Sequence, residues 1–366
     1  MLRSVLLAGP KLSKGVLRFI SAAAILMYAT LYLKASTFLP EFVFRDSDKI
    51  QSQIGGSSTY QDTSFDAVSK FYSTLGDIGT TVFVVAVGAL FIGMMIGYSS
   101  RLGSLLVNTV LLAPCVFFNL FVASKDTLVV LISVLLVLVA RRYSLRYVLA
   151  ASVVLYVGYA ATVRIYFVLI LAIGAGAWVF RKVGLRGKLL LLVAVFTVLF
   201  SLPNIAYYAL LHPRDMAVDY LVTGSPYGAR TGFYNPLPPQ SFWAFCADYL
   251  YAVAKLHVPF LFSPGPKELV MTALMGIVLG AIFGKPAQAD ARMSSVNWLA
   301  CLLIGHMAVS MLFEPDLGSY TRHLTSAALY AAWRLSLLVP GTRRVPSPQA
   351  HVPPASVVLP AKMAQS

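Results

Sequence analysis

Long apolar segments recur along this chain of 366 residues, and the charged residues between them are segregated by sign. Of the 14 Asp and Glu residues, all except Asp290 lie in, or at the edges of, alternate gaps between those segments. The basic clusters lie mainly in the other gaps, as in the acid-free stretches 141–146 and 181–188. A chain that crosses a bilayer repeatedly keeps its Lys and Arg residues on the cytoplasmic side. The pattern therefore predicts a polytopic membrane protein.

The composition favours the same class. Hydrophobic residues make up 58% of the chain and charged residues 12%, which is more apolar surface than a soluble protein of this length buries. The formal net charge of +15 is also a feature of nucleic-acid-binding proteins. We assign it to membrane topology and to attraction for anionic headgroups, so we expect the lipid bilayer as a partner and no nucleic acid. Cys115, Cys246 and Cys301 are far apart and odd in number, which favours buried thiols over a disulfide framework or a metal site.

A helix needs about 20 apolar residues to cross the hydrocarbon core of a bilayer. We therefore predict an all-α transmembrane helix bundle within residues 1–341, with both termini in the cytoplasm. About ten spans are expected, with approximate bounds 17–35, 78–99, 103–122, 127–141, 147–163, 165–180, 189–211, 268–285, 297–313 and 323–340. The residues from 342 to 366 are rich in Pro, Ala and Ser, which predicts a disordered cytoplasmic tail.

Two larger segments, 36–77 and 212–267, are predicted to lie on the outer face. Within the second, the apolar run 242–262 is interrupted by Asp248, Lys255 and His257. We expect an interfacial or re-entrant helix there, because irregular or polar backbone is tolerated at such sites when the protein covers it.

The densest group of candidate site residues lies at the mouth of the last two spans. It comprises two carboxylates, a guanidinium and an imidazole: Glu314, Asp316, Arg322 and His323. A carboxylate with a His can carry out acid–base chemistry, and an Arg with a His can hold a phosphate. Pro315 and Gly318 predict a defined turn in this loop. The alternative is a solvated loop whose charges only face water.

Isolated charges beside apolar segments form a second set of candidates. Lys125 is predicted to contact a phosphate or hydroxyl group, with its charge balanced by Asp126, although both residues could also be boundary residues that reach the interface. Arg164 interrupts an apolar run of about thirty residues, and an arginine at a membrane boundary is costly unless it is paired or hydrated. Its neighbour Tyr166 adds an aromatic face and a hydroxyl group.

The segment 212–267 mixes arginines with aromatic residues. Arg214 and Arg230 suit a diphosphate, which guanidinium groups bind through paired hydrogen bonds. Tyr234 and Trp243 offer the flat apolar face on which a sugar ring stacks. The alternative for the aromatic residues is an ordinary belt at the membrane interface.

Taken together, these local patterns resemble the bacterial polysaccharide polymerases of the Wzy type, which include exopolysaccharide and O-antigen polymerases. The resemblance covers most of residues 40–325 and depends on layout more than on identity. The strings that carry it are Asp46-Ser-Asp48 after the first span, Ser124-Lys125-Asp126 before a span, Arg164-Ile-Tyr166-Phe167 at the start of a span, and the stretch from Glu314 to His323.

The resemblance implies a multi-pass glycosyltransferase of the bacterial inner (cytoplasmic) membrane. Its substrates would be undecaprenyl-diphosphate-linked oligosaccharides at the periplasmic face, joined with release of undecaprenyl diphosphate. A flippase and a chain-length regulator are the implied partners, and neither a nucleotide cofactor nor a metal is implied. We expect Asp316 or Glu314, then His323, to act as the base. The residues expected to bind the diphosphate are Arg164, Arg322, Arg214, Arg230 and Lys125. Those expected to bind the sugar are Tyr166, Tyr234 and Trp243.

Other functions stay open at this point. A ligase or a glycosyltransferase that uses a polyprenyl-phosphate sugar fits the same layout, and the latter would depend on Asp46 or Asp48. A flippase or transporter would need charged residues at mid-span depth, where the sequence offers His306 and Arg334. An assembly subunit without catalysis is the third alternative.

Overall fold

The computed structural model describes residues 2–39, 44–54, 63–223, 231–287 and 292–339. Within these ranges the secondary structure is helical and no strand forms, which confirms the all-α class. The predicted tail 342–366 and Asp290 lie outside the described residues. The α-helices, in chain order from α1 to α16, are Leu2–Leu7, Lys14–Leu33, Ala35–Phe38, Arg45–Ile54, Thr63–Gly97, Leu102–Cys115, Lys125–Arg142, Leu145–Thr162, Phe167–Lys182, Leu185–Phe200, Asn204–Thr223, Phe242–His257, Pro266–Phe283, Met293–Phe313, Leu317–Ser326 and Ala328–Ser336.

The helices give the fold of a multi-pass membrane protein. The part of the chain that the structure describes contains six helices that are long and apolar enough to cross a membrane. They are Lys14–Leu33, Phe65–Gly97, Leu102–Leu120, Leu145–Thr162, Pro266–Phe283 and Met293–Phe313. The pair α10 and α11 raises this number to seven if the two helices form one bent span. The helices α7 and α9 fall outside this set, yet they pack within the same bundle.

The helix α14 lies at the centre of the bundle. Its apolar residues occur around its whole circumference, which is typical of a helix that is surrounded by protein, and most of its side chains are buried. Its main partner is α9, and glycines bring the two helices together. A Cβ atom added to Gly305 would lie 2.3 Å from the backbone oxygen of Ile170, so only glycine permits this distance.

The predicted span 189–211 is wrong as a single straight helix. The helices α10 and α11 meet at an angle of 90° across the break at Ser201–Pro203. Pro203 has no backbone N–H group, and its ring disfavours helical geometry at Leu202, so the chain turns here.

The predicted span 323–340 and the turn before it are also wrong in detail. The chain is already helical from Leu317, because Asp316 caps the N-terminus of α15, and Gly318 lies in the first helical turn. The helix breaks at Ala327 before α16 begins. The Ser326 hydroxyl donates to the carbonyl oxygen of His323 at 2.6 Å, a local bond of the kind that bends helices.

The helix α5 is interrupted at Gly76, where φ is 65° and ψ is 177°. Glycine adopts this left-handed backbone without steric cost. The part that precedes the kink packs onto the start of α7, and the Tyr72 hydroxyl donates to the carbonyl oxygen of Ser124 at 2.9 Å. The kink therefore places a helical segment over the residues that precede α7.

Candidate functional site

Asp126 is at the centre of a group of charged side chains brought together by the fold. Its carboxylate is fully buried and lies 2.8 Å from Arg164 Nη1 and 3.0 Å from Arg322 Nε. His323 Nε2 lies 3.5 Å from the same carboxylate. Asp126 is in the first turn of α7, where the helix dipole favours a negative charge, and Ser124 caps that turn by accepting the backbone N–H of Thr127.

Glu314 orients the imidazole of His323. Glu314 directly follows the last residue of α14. Its Oε1 atom accepts a hydrogen bond from the Nδ1–H group of His323, which lies on α15. With the proton on Nδ1, the lone pair of Nε2 faces Arg164 Nη1 at 2.9 Å. A carboxylate that fixes the tautomer of a His in this way is a common arrangement for a general base.

We call Asp126, Arg164, Glu314, Arg322 and His323 the ionic cluster. Burial alone would raise the pKa of the Asp126 carboxyl, but the guanidinium groups of Arg164 and Arg322 hold that pKa well below its usual range. Burying such a network costs more free energy than apolar packing would, which makes it weak evidence for stability and stronger evidence for function.

The charged side chains of the ionic cluster differ in exposure. The Arg322 side chain is 28% exposed, whereas that of Arg164 is 9% exposed. The backbone of Arg322 is held by Asn119, whose amide donates to the Arg322 carbonyl oxygen at 2.8 Å. Arg322 is therefore fixed in position and is the guanidinium most open to an incoming anion.

A small cavity of about 10 Å³ adjoins the ionic cluster, enough for about one water molecule. Asp126, Tyr166, His306 and His323 are among the residues that line it. The His306 imidazole hydrogen-bonds to the Tyr156 hydroxyl at 2.7 Å, so it pairs with a neighbouring helix. Sequence reasoning missed His306 as a neighbour of the site, and no pattern in the sequence indicates that it shares a cavity with His323.

Tyr166 and Lys125 lie next to the ionic cluster. The Tyr166 ring is 5.8 Å from the Arg164 guanidinium carbon and 4.7 Å from the Phe313 ring. The Lys125 ammonium lies 3.7 Å from the centre of the Phe65 ring, at the start of the helix that presents Asp126.

Asp316 has a structural position instead. Its carboxylate accepts the backbone N–H groups of Gly318 and Ser319, and Oδ2 accepts the Ser319 hydroxyl at 3.0 Å. To act as a base it would have to give up the cap of α15. An Asp directly before the first apolar residue of a helix is a helix-start signal, and it could have predicted this role.

Arg214 is buried in a region separate from the ionic cluster. Its guanidinium donates to Asn235 Oδ1 at 2.8 Å and to the Met311 carbonyl oxygen, and it lies 4.9 Å from the Phe233 ring. The Asn235 amide in turn donates to the Asp215 carboxylate at 3.0 Å. Arg214 thus ties α11 to α14 and to the chain that follows residue 230.

The other predicted ligand residues lie apart from the ionic cluster or outside the described residues. Tyr234 is 46% exposed and donates its hydroxyl to Asp219 at 2.9 Å. Trp243 is 69% exposed at the start of α12. Arg230 lies outside the described residues.

Arg334, the second charged residue at mid-span depth, is bound to backbone. It donates to the carbonyl oxygens of Ala281 at 3.3 Å and Gly284 at 3.0 Å, at the C-terminal end of α13. Cations are favourable at this end of a helix. Among the described residues, no group of three or more His, Cys, Asp and Glu side chains is arranged to hold a metal ion.

Comparison with known proteins gives no relative. No protein-family model matches this sequence, and neither a curated protein nor a solved structure matches it.

Proposed function

We propose that the ionic cluster is the active site of a glycosyltransferase that polymerises undecaprenyl-diphosphate-linked oligosaccharides at the periplasmic face of the bacterial inner membrane. The observation that carries this proposal is the meeting of separate strings at one point. The residues that resemble a Wzy-type polymerase occur at 126, 164, 314 and 322–323, far apart in the chain. In the fold they form one group connected by ion pairs and hydrogen bonds, with one imidazole, two carboxylates and two guanidinium groups.

The chemistry requires one proton transfer and the stabilisation of one leaving group. Arg164 turns from His323 Nε2 to the diphosphate of the bound donor, which frees the lone pair of Nε2. Nε2 then accepts the proton of the acceptor hydroxyl group, and Glu314 stabilises the imidazolium ion that forms. The hydroxyl oxygen attacks the anomeric carbon of the donor repeat unit, and the bond from that carbon to the diphosphate breaks. The guanidinium groups of Arg322 and Arg164 stabilise the charge that develops on the leaving diphosphate.

Asp126 has a positioning role in this proposal. It contacts both guanidinium groups, and its charge offsets part of theirs. Without this anion, the two neighbouring guanidinium groups would repel each other and move apart. Lys125 and Tyr166 lie next to the ionic cluster, and we keep them in the proposal as substrate contacts.

The proposal revises the roles expected from the sequence. His323, oriented by Glu314, replaces Asp316 as the base, because Asp316 caps a helix. Arg214 becomes a structural residue, because its hydrogen bonds hold the fold together. Partner proteins such as a flippase and a chain-length regulator remain part of the proposal through the polymerase chemistry alone.

The gel profile of surface polysaccharide in a deletion strain tests this function. Complementation with the wild-type gene should restore a ladder or a high polymer, and Arg322→Ala should leave a single-repeat product. Arg186→Ala, a change at an exposed arginine, is the matched control and should restore the ladder. A full ladder with Arg322→Ala would contradict the proposal.

The same strain separates the alternatives. Single repeats that accumulate on the outer face indicate a missing polymerase, whereas repeats trapped on the inner face indicate a missing flippase. Loss of the product in Asp46→Ala and Asp48→Ala, with activity kept in His323→Gln, would favour an enzyme that uses a polyprenyl-phosphate sugar.

A further inference from the structure

A π-helical turn lies between α6 and α7. It spans Val116–Leu120 and directly follows Cys115, the last residue of α6. Pro114 precedes the turn and has no backbone N–H group for a regular α-helical hydrogen bond. Such turns are rare, and they occur frequently at functional sites. Within this turn the side chain of Asn119 is fully buried, so its polar groups depend on partners inside the protein.

Asn119 contacts two other parts of the bundle. Its side-chain amide donates to the carbonyl oxygen of Arg322 on α15 at 2.8 Å. Its backbone carbonyl oxygen accepts the hydroxyl group of Thr127 on α7 at 2.7 Å. Thr127 directly follows Asp126, whose carboxylate lies 3.0 Å from Arg322 Nε. These four residues therefore form a closed ring of contacts, which we call the Asn119 ring.

The Asn119 ring holds one ion pair of the ionic cluster from both sides. Arg322 is partly exposed, and a partly exposed arginine side chain has many rotamers, so the ion pair alone does not fix its guanidinium group. Asn119 contacts the backbone of Arg322 and the residue next to Asp126, and it thereby sets the distance between the two charged side chains. Misplacement of such a group by about 1 Å can slow a reaction about 100-fold.

We infer that Asn119 is a positioning residue for the binding of a phosphate-type anion at the ionic cluster. It holds Arg322 against Asp126 before the anion arrives, and a guanidinium group that is already in place loses less conformational freedom on binding. Guanidinium groups match the geometry of phosphate oxygens, which makes a diphosphate a fitting ligand. The inference rests on the proposed function, in which a diphosphate is the leaving group, and it adds to that function an uncharged residue from an apolar segment.

Asn108 on α6 provides a matched control. It is likewise buried, and its amide donates to the carbonyl oxygen of Met95 at 3.1 Å and to the hydroxyl group of Ser99 at 2.9 Å. Both acceptors lie at or just beyond the end of α5 and are not members of the ionic cluster. A comparison of Asn119 with Asn108 therefore separates the loss of a buried amide from the loss of the position of Arg322.

Asn119→Leu and Asn108→Leu test the inference. Leucine has nearly the shape of asparagine but cannot donate a hydrogen bond, and Thr127→Val removes the other bond of the Asn119 ring. Isothermal titration calorimetry on the purified full-length proteins in detergent measures the binding of inorganic diphosphate. We expect about tenfold weaker binding in Asn119→Leu, a smaller loss in Thr127→Val and wild-type binding in Asn108→Leu. Melting temperatures identify the variants that fold, and Thr127→Val carries the test if Asn119→Leu does not fold.

A combined variant separates positioning from general damage to the fold. Because Asn119 acts through Arg322, Asn119→Leu should weaken diphosphate binding no further once Arg322→Ala is present. A further loss of about tenfold in the Arg322→Ala background would overturn the inference.

Three other results would also overturn it. They are wild-type diphosphate binding in both Asn119→Leu and Thr127→Val, equal losses in Asn119→Leu and Asn108→Leu, and no diphosphate binding by wild type. Failure of the proposed function is a distinct result: the variants differ in diphosphate binding as expected, while wild type releases no undecaprenyl diphosphate from lipid-linked repeat units.

Discussion

Two arginines with little exposure to solvent, Arg164 and Arg214, have contrasting surroundings. Arg214 is fully buried and donates to an amide oxygen and a backbone carbonyl oxygen. Arg164 contacts a carboxylate and an imidazole beside a cavity. The first arrangement fastens helices together, whereas the second collects groups that can exchange protons and bind an anion. Burial of an arginine therefore identifies a costly position, and only its partners indicate whether it serves the fold or the chemistry.

The largest expected effect is on the rate of reaction after His323→Gln. The amide keeps most of the size of the imidazole but cannot accept the proton, so chain extension should slow by about 10²- to 10⁴-fold. The rate is measured in membrane vesicles supplied with undecaprenyl-diphosphate-linked repeat units. Glu314→Gln should cause a smaller loss, because a neutral acceptor still orients the ring. An unchanged rate in His323→Gln would remove the proposed base.

Arg214→Ala should mainly destabilise the fold. Its removal leaves the Asn235 amide oxygen and the Met311 carbonyl oxygen without their donor, and each buried acceptor left unsatisfied typically costs about 1–3 kcal/mol. Thermal unfolding in detergent measures this, with the exposed Arg186→Ala as control. If Arg214→Ala instead melts like wild type and loses only activity, the contrast between the two arginines fails.

Arg322→Lys should have an intermediate effect. Lysine keeps the positive charge but lacks the planar fork that contacts Asp126 and a diphosphate together. We expect about a tenfold lower rate of chain extension, with little change in melting temperature, since Arg322 is the more exposed arginine of the ionic cluster. A wild-type rate with lysine would indicate that charge alone is required.

Asp316→Ala should cost about 1 kcal/mol of stability through loss of the helix cap, and Asp316→Asn should restore most of it. Chain extension should remain near the wild-type rate in both variants at a temperature where both are folded. A rate loss in Asp316→Asn as large as that in His323→Gln would return the role of base to Asp316.

Tyr234→Phe should have the smallest effect, within about 0.5 kcal/mol in stability, because its hydrogen bond to Asp219 is at the surface. Its rate of chain extension separates two roles for this exposed ring. An unchanged rate would limit Tyr234 to the surface, and a weaker affinity for the oligosaccharide would restore its predicted sugar contact.

The fold class could be predicted from the sequence, but the contrast between the two arginines could not. Long apolar segments and charge segregation predicted the all-α membrane class, and the isolation of Arg164 in an apolar run predicted that it is either paired or hydrated. The partner could not be predicted, because Asp126 is 38 residues away and is brought to Arg164 by helix packing. Short-range patterns carry no information about which helices become neighbours.

The errors have local physical reasons. The bend before α11 follows from Pro203. The high mean hydropathy of residues 189–211 conceals this single residue. Asp316 looked catalytic because it occurs beside Glu314 and His323, yet its side chain satisfies the first backbone N–H groups of α15. Arg214 looked like a diphosphate ligand because arginine chemistry is the same in both settings, and only the buried acceptors around it show the structural role.

The most direct measurement of the central claim is the conversion of undecaprenyl-diphosphate-linked repeat units by the purified protein in lipid vesicles. Wild type should lengthen the oligosaccharide and release undecaprenyl diphosphate in equal amount for each repeat added. Arg322→Ala should do neither while it melts like wild type. Equal conversion by Arg322→Ala, or no longer product from wild type, would contradict the assignment of this chemistry to the ionic cluster.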